Sequence, residues 1–166
     1  YQCTGAIEQD GTTIHCYNGH VHGTVSFRDS LAYSCNTSFC NIGLSLDIGG
    51  FRDTAKDLLF NSSLPSVLPY SKSSFTLDKS GSAADRMMTA MGQGQTQVSP
   101  YHMALITSAI ANGGVLMEPY LVDSVTNYTG SEIDKNMPEE YKTLMTSGEA
   151  AALKDYMKSV VDYGTA

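Results

Sequence analysis

The sequence predicts a mainly helical fold with two small β elements. Four segments begin with a Ser or Thr that can cap a helix, and apolar residues then recur three or four positions apart. A chain of 166 residues, of which 42% are hydrophobic and 16% charged, can bury one continuous core. We expect one domain of about six helices, with a β-hairpin near the N-terminus and an extended segment after the fifth helix. The four capping residues are Ser26, Ser82, Ser99 and Thr146.

The charge and hydropathy of the chain argue against two classes of function. The formal net charge is −7 and the basic residues do not cluster, so we do not expect a nucleic-acid partner. No apolar run approaches the ~18 residues that span a bilayer, and no signal peptide opens the chain. If the protein is exported, we expect its targeting signal to lie outside these residues.

The N-terminal residues, about 1–18, predict a β-hairpin with Asp10-Gly11 near its turn. Cys3 and Cys16 flank this hairpin. A disulfide across the ladder and two free thiols both remain open from the sequence.

The histidines and cysteines do not form a recognisable metal motif. His15, His20 and His22 follow one another in a polar loop, but no cysteine or acidic residue lies at a useful helical spacing from them. We therefore expect neither a metal nor a cofactor, and assign His22-Gly23 to the turn that enters the next helix. The four cysteines, which contain no Cys-x-x-Cys pair and so do not indicate a zinc ribbon, are Cys3, Cys16, Cys35 and Cys40.

The segment "LAYSCNTSFCNIG" interrupts an amphipathic pattern with two poor helix formers, Ser34 and Asn36. The pattern over 27–46 allows one helix of about 20 residues, or two helices with the joint at Ser34–Asn36 and Asn36 as the second N-cap. Gly49-Gly50 predicts the end of this run, and "FRDTAKDLLF" predicts a shorter helix after it.

The middle of the chain predicts a surface connection followed by a helix. Pro65 and Pro69 exclude a continuous helix over 61–81, although "SSFTL" could be a short extended piece. Ser82 with Asp85 then resembles a capping box, and the methionines of "RMMTAM" are expected in the core.

The last third predicts two helices separated by extended chain. "SPYHMALITSAIANGG" has a Ser99 cap, Pro100 in its first turn and a Gly113 stop. Its apolar residues cover much of its circumference, so we expect it to be buried on more than one side. "VLMEPYLVDSVTNYTG" alternates like an extended or hairpin segment, and the final helix should begin at Thr146 and end at Gly164.

Three quoted segments, in this order, resemble a known family: "HGTVSFRDSLAYSCNTSFCNIG", "MGQGQTQVSPYHMALITSAIANGGVLMEPYLV" and "MKSVVDYGTA". The set resembles the transpeptidase domain of the penicillin-binding proteins, and is most similar to the class B, monofunctional branch. The resemblance covers nearly all of the chain. It implies the α/β penicillin-binding transpeptidase fold, which is serine β-lactamase-like, of which this chain would be chiefly the helical subdomain with small β-hairpin elements.

The resemblance also implies roles for the Ser-x-Asn triplet. In the family, a serine of a Ser-x-x-Lys motif attacks a D-Ala-D-Ala amide or a β-lactam and forms an acyl-enzyme. Ser34 would relay protons between that lysine and the leaving amine. Asn36 would position the lysine and the substrate carbonyl, since an amide is both donor and acceptor. Cys35 would be the variable middle residue, facing the core.

Two motifs of the family are missing from their expected places. The chain contains no Ser-x-x-Lys, and its only Lys-Ser-Gly triplet, at 79–81, precedes Gly-Gln-Gly instead of following the last helix. We interpret that triplet as a coincidence, and Gln93 as part of a tight turn. Residues 1–166 would then be a partial transpeptidase domain that begins after the nucleophile helix, ends before the catalytic strand and is inactive alone.

The resemblance implies a bacterial peptidoglycan D,D-transpeptidase that cross-links stem peptides and binds penicillin. Such an enzyme would work on the extracytoplasmic face of the membrane, anchored by a segment outside this chain, beside membrane proteins of cell-wall synthesis. Two alternatives remain open: a non-catalytic interaction module or degenerate transpeptidase scaffold, and a serine β-lactamase or β-lactam sensor. The flanking sequence, about 60 residues on each side, would separate them by the presence of the missing motifs.

Overall fold

The computed structural model describes residues 1–165, which contain six α-helices and four two-stranded antiparallel sheets. The mainly helical prediction is confirmed, whereas the β content exceeds the two elements expected. The helices are α1 Phe27–Ala32, α2 Asn36–Ser45, α3 Ile48–Asp57, α4 Ala83–Ala90, α5 Pro100–Ala111 and α6 Ser147–Tyr163. The strands are β1 Gln2–Cys3, β2 Ala6–Gln9, β3 Thr12–His15, β4 Gly23–Thr24, β5 Val115–Met117, β6 Ser124–Thr126, β7 Glu132–Lys135 and β8 Glu140–Thr143.

The N-terminal hairpin is narrower than the predicted 1–18. Strands β2 and β3 pair across a turn in which Asp10 and Gly11 both have positive φ, as the tight hairpin turn requires. Cys3 lies outside this hairpin because Gly5, at φ +90°, turns the chain so that β1 pairs with β4 instead. A side chain at Gly5 would collide with the carbonyl oxygen of Gly19, 2.7 Å from its Cβ position.

Of the two arrangements that the sequence allowed over 27–46, the structure has two helices, α1 and α2, with a break between them. A capping box between Ser26 and Asp29 starts α1, which ends at Ala32 before a left-handed residue. The predicted N-cap of α2 is wrong, because Cys35 occupies that position and makes no side-chain cap bond. The amide of Asn36 instead donates to the His15 carbonyl, 3.0 Å away, which ties the helix start to the hairpin.

Helices α2 and α4 pack closely, which places the Gly-Gln-Gly segment after α4 beside the start of α2. Gly43 allows this approach, since a Cβ there would lie 2.8 Å from the Arg86 carbonyl oxygen. Cys40 and Met87 are fully buried between the helices, as expected for the methionine cluster. Arg86 also donates to the carbonyls of Leu44 and Leu46, at the end of α2, where carbonyl groups have no partner within the helix.

The predicted stop at Gly49-Gly50 is wrong, because α2 ends at Ser45 and both glycines lie in the first turn of α3. Asp47 caps this helix by accepting from the Gly50 amide at 2.7 Å. A capping carboxylate beside two small residues therefore starts a helix here.

Within residues 1–165, helix α5 is buried on one face only. The prediction that it is buried on more than one side is therefore wrong for this part of the chain. Leu105 and Ala109 join a core with residues from β5 and from the connection after α3, whereas Met103 on the opposite face is 47% exposed. His102 is fully buried and its Nε2 lies 2.7 Å from the Leu58 carbonyl oxygen. The N-cap at Ser99 and the positive φ of Gly113 agree with the prediction.

The extended segment after α5 becomes two separate ladders. Strand β5 pairs with β8, and β6 pairs with β7, so the alternating segment is confirmed as strand but its partners were not predicted. All four residues of β7 are exposed. These partner strands escaped prediction because they carry no alternation of apolar and polar residues.

Helix α6 begins with the predicted capping box of Thr146 and Glu149 and packs against α1. Arg28 of α1 forms an ion pair with Asp155 and donates to Ser159, 3.1 Å away. This packing returns the end of the described chain to the break between α1 and α2. No helix within residues 1–165 has the length and apolar character needed to cross a bilayer.

Candidate active site

Ser34 occupies a strained turn between α1 and α2 (φ 51°) and is exposed. A non-glycine residue in this region costs roughly 1–2 kcal/mol, so its surroundings must hold it. Its amide donates to the Leu31 carbonyl at 3.1 Å, and the Cys35 amide donates to the Ser30 carbonyl at 2.9 Å. These bonds close α1 and present the hydroxyl of Ser34 to solvent.

Buried hydroxyls fix the angle between the two helices. The Ser30 hydroxyl donates to the Ser26 carbonyl and lies 2.7 Å from the Ser38 hydroxyl in the next helix. Both Ser30 and Ser38 are almost fully buried. Since a buried hydroxyl needs a partner, this pair disfavours other arrangements of the joint.

The Ser-x-Asn turn forms a ridge between two clefts. A cleft of about 730 Å³ on one side and a smaller one of about 300 Å³ on the other both include Ser34 and Asn36. Gly92 of the Gly-Gln-Gly segment borders the smaller cleft. The larger cleft is lined by Tyr17, Asn18, His20, His22, Tyr33, Ser34, Asn36 and Thr165.

Asn36 is half-buried and keeps part of its hydrogen-bonding capacity free. Its Nδ2 donates to the His15 carbonyl, and its Oδ1 accepts no bond from the described part of the chain. One N–H and the amide oxygen can therefore serve a ligand in the cleft.

Thr165 was not predicted as a site residue. Its hydroxyl lies 3.1 Å from that of Ser34, and its amide donates to the Ala32 carbonyl at 3.0 Å. Thr165 belongs to "MKSVVDYGTA", so the signal was present in the sequence but carried no assigned role. It is the only hydrogen-bond partner of the Ser34 hydroxyl within residues 1–165, and it is no base.

The Lys-Ser-Gly triplet lies apart from this turn. Ser80 of the Lys-Ser-Gly triplet bonds Asp78 through its amide and hydroxyl, and that bond lowers the pKa of Asp78. The triplet lies in a loop before α4 and borders a cleft that includes neither Ser34 nor Asn36. Gln93 is exposed in a turn whose flanking glycines both have positive φ.

Three cysteines meet behind the Ser-x-Asn turn. Cys35 is fully buried, as expected, and its sulfur lies 3.9 Å from that of Cys16, which in turn lies 3.7 Å from the sulfur of Cys3. All are free thiols. Burial raises the pKa of Cys35 to about 11. At Cys3 burial also raises the pKa, but hydrogen bonds from Thr37 and His22 outweigh it and lower the value to about 5.

The helical fold and the Ser-x-Asn turn agree with a penicillin-binding transpeptidase, and comparison with known proteins identifies the same class. The family model described as "Penicillin binding protein transpeptidase domain" matches residues 1–166, so the chain belongs to this family. The resemblance and the predicted fold class are thereby confirmed, and the relatives support the class B type.

Among similar proteins is the peptidoglycan D,D-transpeptidase PbpA of Mycolicibacterium smegmatis, 31% identical over 134 residues, which are 81% of this chain and 27% of that protein. Stage V sporulation protein D of Bacillus subtilis is 28% identical over 167 residues, covering 97% of this chain and 25% of that protein. The penicillin G acyl-enzyme of penicillin-binding protein A from Mycobacterium tuberculosis superposes with a TM-score of 0.84 at 25% identity, covering 98% of this chain and 38% of that structure. The chain thus spans about a quarter of the length of these curated relatives.

Proposed function

We propose that this chain contributes the Ser-x-Asn motif of a bacterial peptidoglycan D,D-transpeptidase that penicillins acylate. The observation that carries the proposal is the exposed hydroxyl of Ser34, held at a helix break beside Asn36 on the edge of a cleft of about 730 Å³. Family membership and relatives named as D,D-transpeptidases support it.

In the proposed reaction the nucleophile is a serine of a Ser-x-x-Lys motif, which these 166 residues do not contain. Its oxygen bonds the carbonyl carbon of the penultimate D-Ala while its proton passes to the lysine. The amide C–N bond then breaks, and the terminal D-Ala leaves with a proton on its nitrogen. The amine of a second stem peptide later displaces the serine oxygen and completes the cross-link.

Ser34 acts as a proton relay, because a hydroxyl donates and accepts in the same position. The Thr165 hydroxyl, 3.1 Å away, orients it. Asn36 positions the lysine and the substrate through its free N–H and Oδ1, while the His15 carbonyl holds the other end of the amide.

The proposed enzyme works on the extracytoplasmic face of the membrane, where peptidoglycan is assembled. It is anchored by a segment outside this chain and acts beside other membrane proteins of cell-wall synthesis. Relatives named for peptidoglycan transpeptidation support this location.

The test is to incubate the full-length protein with a fluorescent penicillin. We expect one adduct per chain, located by peptide mapping on a serine of a Ser-x-x-Lys motif outside residues 1–166. A full-length protein that stays unlabelled while it binds other proteins would contradict the proposal and favour the non-catalytic scaffold. Rapid hydrolysis of the penicillin would favour a β-lactamase.

A further inference from the structure

Four side chains from separate parts of the chain point at one position behind the Ser-x-Asn turn. Cys3, Cys16, Cys35 and His22 each offer one ligand atom, and these four atoms lie within 4.8 Å of one another. All three cysteines are almost fully buried and His22 is half-buried. The histidine enters through Nδ1, which lies 3.4 Å from the Cys3 sulfur.

The spacing of these atoms fits a tetrahedron around one ion. With Zn–S bonds of about 2.3 Å and Zn–N bonds of about 2.0–2.1 Å, tetrahedral ligands place two sulfurs ~3.8 Å apart and a sulfur and nitrogen ~3.6 Å apart. The sulfurs of Cys3 and Cys16 are 3.7 Å apart, and those of Cys16 and Cys35 are 3.9 Å apart. Three of the six distances among the ligand atoms are therefore close to those that a bound ion requires, and the other three are at most 4.8 Å.

Polar groups surround the sulfurs as they would surround thiolates. The Thr37 hydroxyl, fully buried, donates to the Cys3 sulfur at 3.2 Å and lies 3.6 Å from the other two sulfurs. Donors around ligand sulfurs orient the ligands and stabilise their negative charge.

The ring of His22 is held in place by its neighbours. It stacks on the ring of Tyr33 at 5.9 Å with an interplanar angle of 5°, and contacts His20 edge-on at 4.7 Å. These contacts keep Nδ1 directed toward the sulfurs.

A purely apolar role explains the cluster poorly. Within residues 1–165, the cluster of buried hydrophobic residues that contains the three cysteines has only Val25 as a further member. The sheet of β1 and β4 has only two residues in each strand, and isolated two-stranded sheets are marginal in water. An ion that joins four segments would supply the stability that so small a core lacks.

We propose that Cys3, Cys16, Cys35 and His22 form a structural zinc site of the Cys₃His type. Three thiolates and one neutral imidazole bind a single Zn²⁺, and the three thiol protons are released to solvent. The four ligands close the tetrahedron, so the ion has no open position for water or substrate.

The site has a consequence for the Ser-x-Asn turn. Cys35 lies between Ser34 and Asn36, so a metal bond to its sulfur anchors the strained turn from behind. Zinc binding itself does not depend on the transpeptidase proposal, and metal content can be measured whether or not the protein is acylated.

The test is metal analysis of the full-length protein, purified under reducing conditions with zinc present. We expect the wild type to hold one zinc more per chain than Cys3→Ala or Cys35→Ala. X-ray absorption should show three Zn–S bonds of ~2.3 Å and one Zn–N bond of ~2.0–2.1 Å for that ion. Cobalt should reconstitute the same site and give the visible bands of a tetrahedral thiolate complex.

Cys40→Ala is the matched control, because Cys40 is a fully buried free thiol outside the cluster. It should retain the zinc. If the cysteine variants fail to fold, two milder variants remain: His22→Cys should keep the ion, and Thr37→Val should weaken its affinity by ~10–100-fold.

Three results would overturn the proposal. One is equal zinc content in wild type, Cys3→Ala and Cys35→Ala. Another is cobalt instead of zinc in the site after exposure to equal amounts of zinc and cobalt. The third is a disulfide between two of these cysteines in protein that was kept reduced and zinc-replete throughout.

Discussion

The hydroxyl of Ser34 lies 3.1 Å from that of Thr165, although the two residues are 131 positions apart in the sequence. The contact exists because α6 packs on α1, so the chain after α6 passes beside the carbonyl end of α1. Gly164 makes the approach possible, since any side chain there would overlap the carbonyl oxygens of Ala32 and Val160. The geometry of the candidate site thus depends on a packing contact far away in sequence.

We expect Gly164→Ala to separate the chain end from α1 and to remove the contact between Ser34 and Thr165. A Cβ that must displace backbone atoms costs typically about 1–3 kcal/mol of unfolding free energy. Urea denaturation of the variant measures this loss.

Gly148→Ala is the matched control, because Gly148 lies in the first turn of α6 with nothing within 4 Å of its Cβ position. There alanine should leave stability unchanged or raise it by up to ~1 kcal/mol. Equal stability of the Gly164 and Gly148 variants would contradict this prediction. It would show that the fold does not require the close approach of Gly164 to the Ala32 and Val160 carbonyls.

Ser34→Ala and Asn36→Ala should slow acylation of the full-length protein by a β-lactam. Removing a positioned acid–base group costs ~10²–10⁴ in rate, and removing a hydrogen bond to a charged group costs roughly 1.5–3 kcal/mol. Stopped-flow measurement with a fluorescent penicillin gives the rate for each variant.

Ser45→Ala and Asn136→Ala serve as controls, since neither side chain lines the two clefts beside Ser34. Ser45 donates to the Ile42 carbonyl, three residues earlier, and Asn136 donates to the Val122 carbonyl. Their acylation rates should match the wild type. Wild-type rates in Ser34→Ala and Asn36→Ala, with unchanged circular dichroism, would remove both residues from the proposed mechanism.

Local signals in the sequence predicted the starts of α1, α4, α5 and α6 correctly. Ser26, Ser82 and Thr146 each form a capping box with the acidic residue three positions later. Such caps involve only neighbouring residues, so the sequence contains all the information they need. The break at Ser34 was one of two arrangements that the sequence allowed, because Ser34 and Asn36 lower the helix propensity within that segment.

Relationships between distant segments could not be predicted in this way. The spacing of Cys3, Cys16 and Cys35 in the sequence matches no metal motif. The three cysteines come together only in the folded chain, through a turn at Gly5 and the pairing of β1 with β4. Strand β7 is wholly exposed and carries no hydrophobic pattern. Asn36 was expected to cap α2, but the carbonyl of His15, 21 residues earlier, binds its amide instead.

Acidification should weaken the packing of α6 on α1. The hydrogen bond from Arg28 lowers the pKa of Asp155, and the bond from Thr146 lowers the pKa of Glu149. A carboxyl with a lower pKa in the folded than in the unfolded state stabilises the fold above its unfolded pKa, about 4. That contribution is lost as the pH falls through the folded-state pKa.

Urea unfolding at pH 7 and near pH 3 measures this effect. The wild type should lose stability on acidification, and Asp155→Asn should lose less, because its side chain no longer titrates. Asp162→Asn, on the same helix and paired only with the exposed Lys158, is the control and should behave like the wild type. If Asp155→Asn lost as much stability on acidification as the wild type, protonation of Asp155 would not be a cause of the loss.

The 166-residue chain by itself should form no covalent adduct with a penicillin. Ser34 presents an exposed hydroxyl at the candidate site, and its one partner within residues 1–165 is the Thr165 hydroxyl. A serine without an adjacent base is a weak nucleophile near neutral pH, so the β-lactam carbonyl would not be attacked at a useful rate. Ser80 is a weak nucleophile as well, because the Asp78 carboxylate that accepts its proton has a lowered pKa and is therefore a poor base. Its loop also borders a different cleft.

Intact-protein mass spectrometry after long incubation with excess penicillin makes the measurement, with the acylated full-length protein as positive control. Circular dichroism of the same sample must show that the chain is folded, because an unfolded chain would also stay unmodified. A stoichiometric mass increase that peptide mapping assigns to Ser34 or Ser80 would contradict the roles given above. An adduct on Ser34 would make Ser34 the nucleophile itself, and the base that activates it would have to come from the histidines that line its cleft.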